Sequence, residues 1–147
     1  MTVRLSTRSR YGLRAVVSIT RNERKPVTCE TLAACEDVSK KYLDRLLNLL
    51  RGAGLLRSSK GKGGGYILAR PPEEITVGDV VCALESGMYL VPCVDDPSVC
   101  EKAGTCPSRQ VWCTAAAVMK DTLNGITLAD LAAWKPGRRY RGLTQRN

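Results

Sequence analysis

The sequence has no histidine and no phenylalanine, and aromatic residues fill only 5% of its 147 positions. Without imidazole, a paired acid and base, or a nucleotide-binding loop, it offers little for acid–base or phosphoryl chemistry, so an enzyme is not expected. So few rings leave few platforms for unpaired bases, which argues against an RNA-binding module. No apolar run approaches the length of a membrane span. The opening Met1 to Arg10 carries Arg4, Arg8 and Arg10 but no apolar core followed by a small-residue cleavage site, so it does not read as a secretory signal. The expected setting is the cytoplasm, with no membrane and no small-molecule substrate as partner. In that setting seven cysteines, an odd number, point to reduced thiols or ligands rather than to a disulfide framework.

Positive charge is abundant, and it is unevenly placed. Met1 to Arg70 holds 15 Lys and Arg against 5 Asp and Glu, Pro71 to Trp134 holds 3 against 9, and Lys135 to Asn147 holds 5 against none. A charge run is ordinarily just a solvated face. Confinement of the excess to one half of the chain makes a polyanion, and nucleic acid in particular, the better expectation. With 44% hydrophobic residues the remainder can still bury a core.

The basic half reads as a set of short elements. Tyr11 to Thr20 has Leu13, Val16, Val17 and Thr20 at helical spacing. Thr28 is a good cap for a second helix of about two turns, with Glu30 in its first turn. Ser39 can cap a third helix from Lys40 to Arg51, whose apolar stripe is Leu43, Leu46, Leu47 and Leu50, leaving Lys40, Lys41, Asp44, Arg45 and Asn48 outward. Two short helices across a tight turn, the second with a basic N-terminal half, form the helix-turn-helix pattern, though a plain amphipathic pair has the same periodicity. Leu55 to Ser59 and Tyr66 to Ala69 then read as two strands joined by Lys60-Gly61-Lys62-Gly63-Gly64-Gly65. That hairpin is a wing whose lysines, Lys60 and Lys62, can approach phosphates.

Beyond Pro71-Pro72, Thr76 with Asp79 predicts a capping box for a fourth helix to Glu85, with Cys82 expected on its buried side. Pro92 to Pro107 holds Cys93, Cys100 and Cys106 among Asp95, Asp96, Pro97 and Gly104, which favour a loop. Thiolates are soft ligands suited to zinc, copper(I) or an iron–sulfur cluster, and the C-x6-C and C-x5-C intervals are not zinc-finger spacings. Buried cysteines acting as small hydrophobes are the alternative, and the polar, proline-rich surroundings argue against it. Ser108 to Leu123 presents Val111, Trp112, Ala115, Val118, Met119 and Leu123 on one broad face of a helix, for which a second copy of the chain is the economical cover and its own winged domain the alternative. Thr127 and Asp130 predict a last capped helix to Trp134, and Lys135 to Asn147 reads as a disordered basic tail.

Together these pieces resemble a known group. Arg10-Tyr11-Gly12-Leu13-Arg14, the Ser39 to Arg51 helix, Gly61-Lys62-Gly63-Gly64-Gly65-Tyr66, Ile75-Thr76-Val77-Gly78-Asp79-Val80, the three loop cysteines and Ile126-Thr127-Leu128-Ala129-Asp130-Leu131 are similar to the IscR and NsrR group of bacterial winged-helix regulators, from about Leu5 to Trp134. The resemblance implies a mostly α chain: a winged helix-turn-helix domain over 1–88 with a two-stranded β wing, a cluster-binding cysteine loop over 89–107, a long dimerisation helix with a short terminal helix over 108–134, and the tail. It implies a homodimer on double-stranded promoter DNA, with Ser39, Lys41, Tyr42, Asp44 and Arg45 where the recognition helix meets DNA and Lys60 at the wing. It further implies an iron–sulfur cluster on Cys93, Cys100 and Cys106, 2Fe-2S in preference to 4Fe-4S, sensing iron–sulfur status, redox or nitric oxide. Arg109 stands where IscR-like members have a ligating histidine, and Arg10 where NsrR-like members lend an aspartate. The fourth ligand is thus open among Cys113, Asp95, Asp96, Glu101 or an exogenous group. The alternative is a regulator of the same shape without a cluster, its cysteines sensing oxidants or holding zinc.

Overall fold

In the computed structural model, residues 5–23, 25–85 and 90–137 are described; Arg4 and, in the basic tail, Arg138, Arg139 and Arg141 lie outside the described residues. Helix α1 (Thr7–Arg21) starts four residues before the expected Tyr11, because the Ser6 hydroxyl accepts from the Ser9 amide and caps it. The residues it adds carry no apolar periodicity to announce them. Its buried face is Gly12, Ala15, Val16 and Ile19, displaced from the expected stripe, in which only Val16 is buried and Leu13, Val17 and Thr20 are half-buried.

Helix α2 (Cys29–Glu36) is capped by Thr28 and closed by Asp37 in the left-handed conformation, φ 52°. After that turn Ser39 caps α3 (Lys40–Gly52), and all four expected leucines, Leu43, Leu46, Leu47 and Leu50, are buried. Each contributes roughly 1.5–3 kcal/mol of transfer free energy, enough to fix which face of α3 is left to solvent. They join Ala15, Val16 and Ile19 of α1, Leu32 of α2, and Ile75, Val80, Leu84 and Leu128 in one core.

Strands β1 (Leu56–Ser59) and β2 (Gly65–Leu68) pair antiparallel, with Leu56 opposite Leu68 and Ser59 opposite Gly65. Gly61 and Gly63 take positive φ in the turn, at 99° and 81°. Val27, just before α2, exchanges backbone hydrogen bonds with Tyr66 at 3.0 and 2.8 Å, so the hairpin is stitched to the helix-turn-helix. A Cβ on Gly65 would lie 2.5 Å from the Val27 carbonyl oxygen, so only glycine permits that approach.

Helices α4 (Val77–Leu84) and α7 (Leu128–Ala133) begin with the two expected capping boxes, Thr76 with Asp79 and Thr127 with Asp130. The boxes face one another: Val77 N donates to Ile126 O at 2.8 Å and Leu128 N to Ile75 O at 2.9 Å. Arg21 secures the far end of α7, donating to the carbonyls of Leu131, Ala132 and Trp134 at 3.2–3.3 Å. The C-terminal segment thus returns to the winged domain. Cys82 is exposed rather than buried, since the inward stripe of α4 is Val77, Val80, Val81 and Leu84 and position 82 falls off it.

The cysteine segment is more regular than a loop. It forms the single-turn α5 (Pro92–Asp95) and a 3-10 turn, Pro97–Val99, before the 18-residue α6 (Pro107–Asn124). No residue of α6 is buried, and Val111 and Val118 are each 60% exposed. Among the described residues no helix is long and apolar enough to cross a membrane.

Candidate nucleic-acid interface and metal centre

The exposed N-terminal half of α3 gathers most of the residues expected to meet DNA. The Ser39 hydroxyl is occupied by the Tyr42 amide at 3.1 Å, so this residue shapes the helix start. Lys40 is ion-paired with Glu30 of α2. Their mutual hydrogen bond holds the Lys40 ammonium pKa up and, as its largest cause, the Glu30 carboxyl pKa down. Lys41 and Arg45 are exposed and meet no carboxylate among the described residues. On this half of α3, those two are the cations left for a polyanion.

Tyr42 is half-buried, edge-on to Tyr11 of α1 with ring centroids 6.2 Å apart, and its hydroxyl donates to Thr7 Oγ1 at 3.4 Å. Asp44 turns to the wing: it accepts from Tyr66 Oη at 3.3 Å and from Asn48 Nδ2 at 3.1 Å. Burial, followed by the negative charge of Asp44, pushes the Tyr66 phenol pKa up. Arg51 Nη1 also donates to Ser58 Oγ of β1 at 3.2 Å. Helix and wing are thus bound as one surface, with Lys60 and Lys62 exposed at its rim.

The basic Arg10 and Arg14 of the first helix lie beside this surface, against a ring contact that the helix read alone does not announce. The Arg10 and Arg14 guanidinium carbons lie 5.1 and 5.9 Å from the Tyr11 ring centroid, and Arg14 Nε also meets the Glu36 carboxylate at 2.5 Å. The spacing of Tyr11 and Arg14, three apart on one helix, was the available signal.

Cys93 and Cys106 are half-buried, on α5 and at the N-cap of α6, while Cys100 is exposed after the 3-10 turn. All seven cysteines are free. Among the described residues no three Cys, Asp or Glu side chains are drawn together tightly enough to hold a metal ion. Three thiols without imidazole suit a thiolate-held centre by ligand type, and gathering them requires the segment to close further. Arg109 Nε donates to the Cys93 carbonyl at 2.7 Å, tying α5 to α6. Of the open fourth-ligand candidates, Asp96 is engaged with Ser98, whose hydroxyl and amide donate at 2.6 and 2.9 Å and hold its pKa down; Asp95 and Glu101 are exposed and Cys113 is half-buried. Cys29 is a packing residue: it is buried, its Sγ faces the Lys40 carbonyl at 3.6 Å, and burial pushes its thiol pKa up.

The whole arrangement has close counterparts. "Protein rrf2" of Nitratidesulfovibrio vulgaris is 42% identical over 130 residues, covering 88% of this chain and 87% of that one. The solved structure of CymR (YrzC), titled the global cysteine regulator of B. subtilis, superposes with a TM-score of 0.75 at 32% identity, covering 91% of this chain and 99% of its own. IscR of T. potens gives a TM-score of 0.73 at 32% identity, covering 89% and 87%. CymR of Bacillus subtilis and IscR of Klebsiella pneumoniae, both similar in sequence, are named HTH-type transcriptional regulators, not enzymes. The Rrf2 profile, described as an iron-dependent transcriptional regulator, matches residues 5–134, and the chain therefore belongs to the Rrf2 family as a regulator built on a DNA-binding winged helix-turn-helix.

Proposed function

We propose that this chain acts in the cytoplasm as a homodimer whose promoter binding is governed by an iron–sulfur centre on Cys93, Cys100 and Cys106. The observation that carries the reading is the position of three free thiols in one short segment between the winged domain and the unburied helix α6. The family description as iron-dependent and the likeness to IscR support it. When bound, a cluster of this kind supplies a redox-active, oxidant- and nitric-oxide-sensitive group; 2Fe-2S is favoured over 4Fe-4S.

The chain's own residues do the rest. Drawing Cys93, Cys100 and Cys106 together shortens the segment that joins the winged domain, 1–88, to the dimerisation segment, 108–134. Two recognition helices must match a half-site separation of about 34–36 Å, so a small change in that joint can cost several kcal/mol of specific affinity. Lys41 and Arg45 face the bases, with Ser39, Lys40, Tyr42 and Asp44 setting the helix and wing that present them; Lys60 and Lys62 hold phosphates.

Iron and sulfide counted per subunit in anaerobically prepared protein test this. The native chain is expected to be coloured, and Cys93→Ala, Cys100→Ala and Cys106→Ala each to lose iron. Colourless, iron-free native protein would exclude the centre.

A second reading has its own support. Cys100 is exposed and the three thiols stand apart, as suits a thiol sensor, and a structural counterpart is titled a cysteine regulator; zinc would need the same closing of the segment as a cluster. Visible absorption separates the two, since thiols and zinc are transparent there.

A further inference from the structure

Glu85 is the C-cap of α4, its amide donating to Val81 O at 2.9 Å, so its backbone is fixed to the winged core. One carboxylate oxygen, Oε1, accepts from Ser6 N at 3.1 Å and from the hydroxyls of Ser6 and Ser9 at 2.5 Å each. Ser9 is 2% exposed, and it is the one polar residue buried in the core among the described residues. A buried hydroxyl aimed at a carboxylate forms a strong, directional bond, and its loss leaves an orphaned donor. Two hydroxyls and one backbone amide on a single oxygen make the first turn of α1 follow Glu85.

Helix α1 passes the position on. Thr7, between the two serines, accepts from the Tyr42 hydroxyl, and Tyr11, one turn later, meets the Tyr42 ring. Tyr42 is in the first turn of α3, beside Lys41 and Arg45. At its other end α1 is bound to α7 through Arg21. The 15-residue α1 is therefore held at one end by the residue that precedes the cysteine segment and at the other by the helix that follows α6. Glu85 stands eight positions ahead of Cys93 in the chain.

We propose that Glu85 is a positioning residue that couples the cysteine segment to the recognition helix, by way of Ser6 and Ser9 on α1 and the Thr7 and Tyr11 contacts with Tyr42. The coupling rests on the reading of Cys93, Cys100 and Cys106 as a metal-responsive set. From Glu85 to Tyr42 it consists of hydrogen bonds and one ring contact among packed elements, and from Cys93 to Glu85 it is the chain itself.

The test compares full-length native protein, Glu85→Gln and the double variant Ser6→Ala, Ser9→Ala, each metal-free and after anaerobic loading with iron and sulfide. Iron content is counted and amide hydrogen exchange is followed across α1 and α3. In the native chain, loading is expected to change protection in the first turns of both helices by about fivefold or more, against less than about twofold at α3 in either variant, with equal iron uptake. A native-sized change at α3 in both variants overturns the coupling while leaving the metal reading intact. Failure of the native chain to take up iron overturns the metal reading and the coupling with it. The serine variant keeps the Glu85 charge, so it answers even where Glu85→Gln does not fold.

Discussion

The Tyr66 hydroxyl on the returning strand of the wing donates to the Asp44 carboxylate on α3 at 3.3 Å. Wing and recognition helix are therefore one unit, in which a residue expected at the DNA helps to hold the hairpin. Tyr66→Phe removes this bond and should lower stability by about 1 kcal/mol, the usual net worth of such a contact. A denaturant midpoint unchanged from the native chain would mean that the bond holds nothing.

Lys62 and Arg45 should fail differently. Lys62→Ala at the wing rim should weaken binding to all duplexes alike and reduce the salt dependence by about one phosphate contact. Arg45→Ala should relax base preference, at about 1–3 kcal/mol for the preferred site. Titrations of a selected duplex and a scrambled one at two salt concentrations separate the cases, and uniform loss for both variants would displace Arg45 from the base edges.

Gly12 marks how closely α1 meets α4. A Cβ at that position would stand 2.3 Å from Cδ1 of Leu84, which is itself only 2% exposed, so the side chain would have to repack within the core. Gly12→Ala is expected to cost about 1–3 kcal/mol through overpacking, read as a fall in Tm. A gain in stability would mean that the interface between α1 and α4 is looser than its geometry.

Glu85 should make stability depend on acid pH. Burial raises its pKa, but hydrogen bonds from Ser6 and Ser9 and the nearby Arg8 charge outweigh that and hold it below the usual carboxylate value. A depressed carboxyl pKa contributes stability that is present above the unfolded value and lost as pH falls through the folded one. Unfolding midpoints should drop across that acid window in the native chain and drop less in Glu85→Gln. Parallel curves would remove Glu85 as a source of the slope.

Val111 and Val118 stand exposed on a helix with no buried residue, as a face covered by a second copy would. Val118→Asp is expected to give a monomer by light scattering and to weaken binding to a two-fold duplex by tenfold or more, about 1.4 kcal/mol. A native-sized dimer in that variant would place the contact elsewhere.

Local chemistry was legible in order. Thr28, Ser39, Thr76 and Thr127 each cap the helix expected of them, because a side-chain acceptor and the amides it satisfies lie within three residues. The leucine stripe of α3 was readable for the same reason, its period belonging to one helix. Ser6 was not, since a cap among arginines has no apolar run behind it. The apolar neighbours of Cys82 point it inward, whereas its exposure depends on which side of α4 meets α1 and α3.

By itself the sequence determined the starts of α2, α3, α4 and α7, the wing and its basic rim, and the grouping of three thiols in one segment, all of which depend on residues a few positions apart. Only the tertiary structure decided that Asp44 serves the wing, that Lys40 is paired with Glu30, that Arg21 holds α7, and that Glu85 binds the first turn of α1. Those contacts join residues from ten to more than a hundred positions apart, and which partners meet is set by how the buried leucines orient the helices, not by any pattern along the chain.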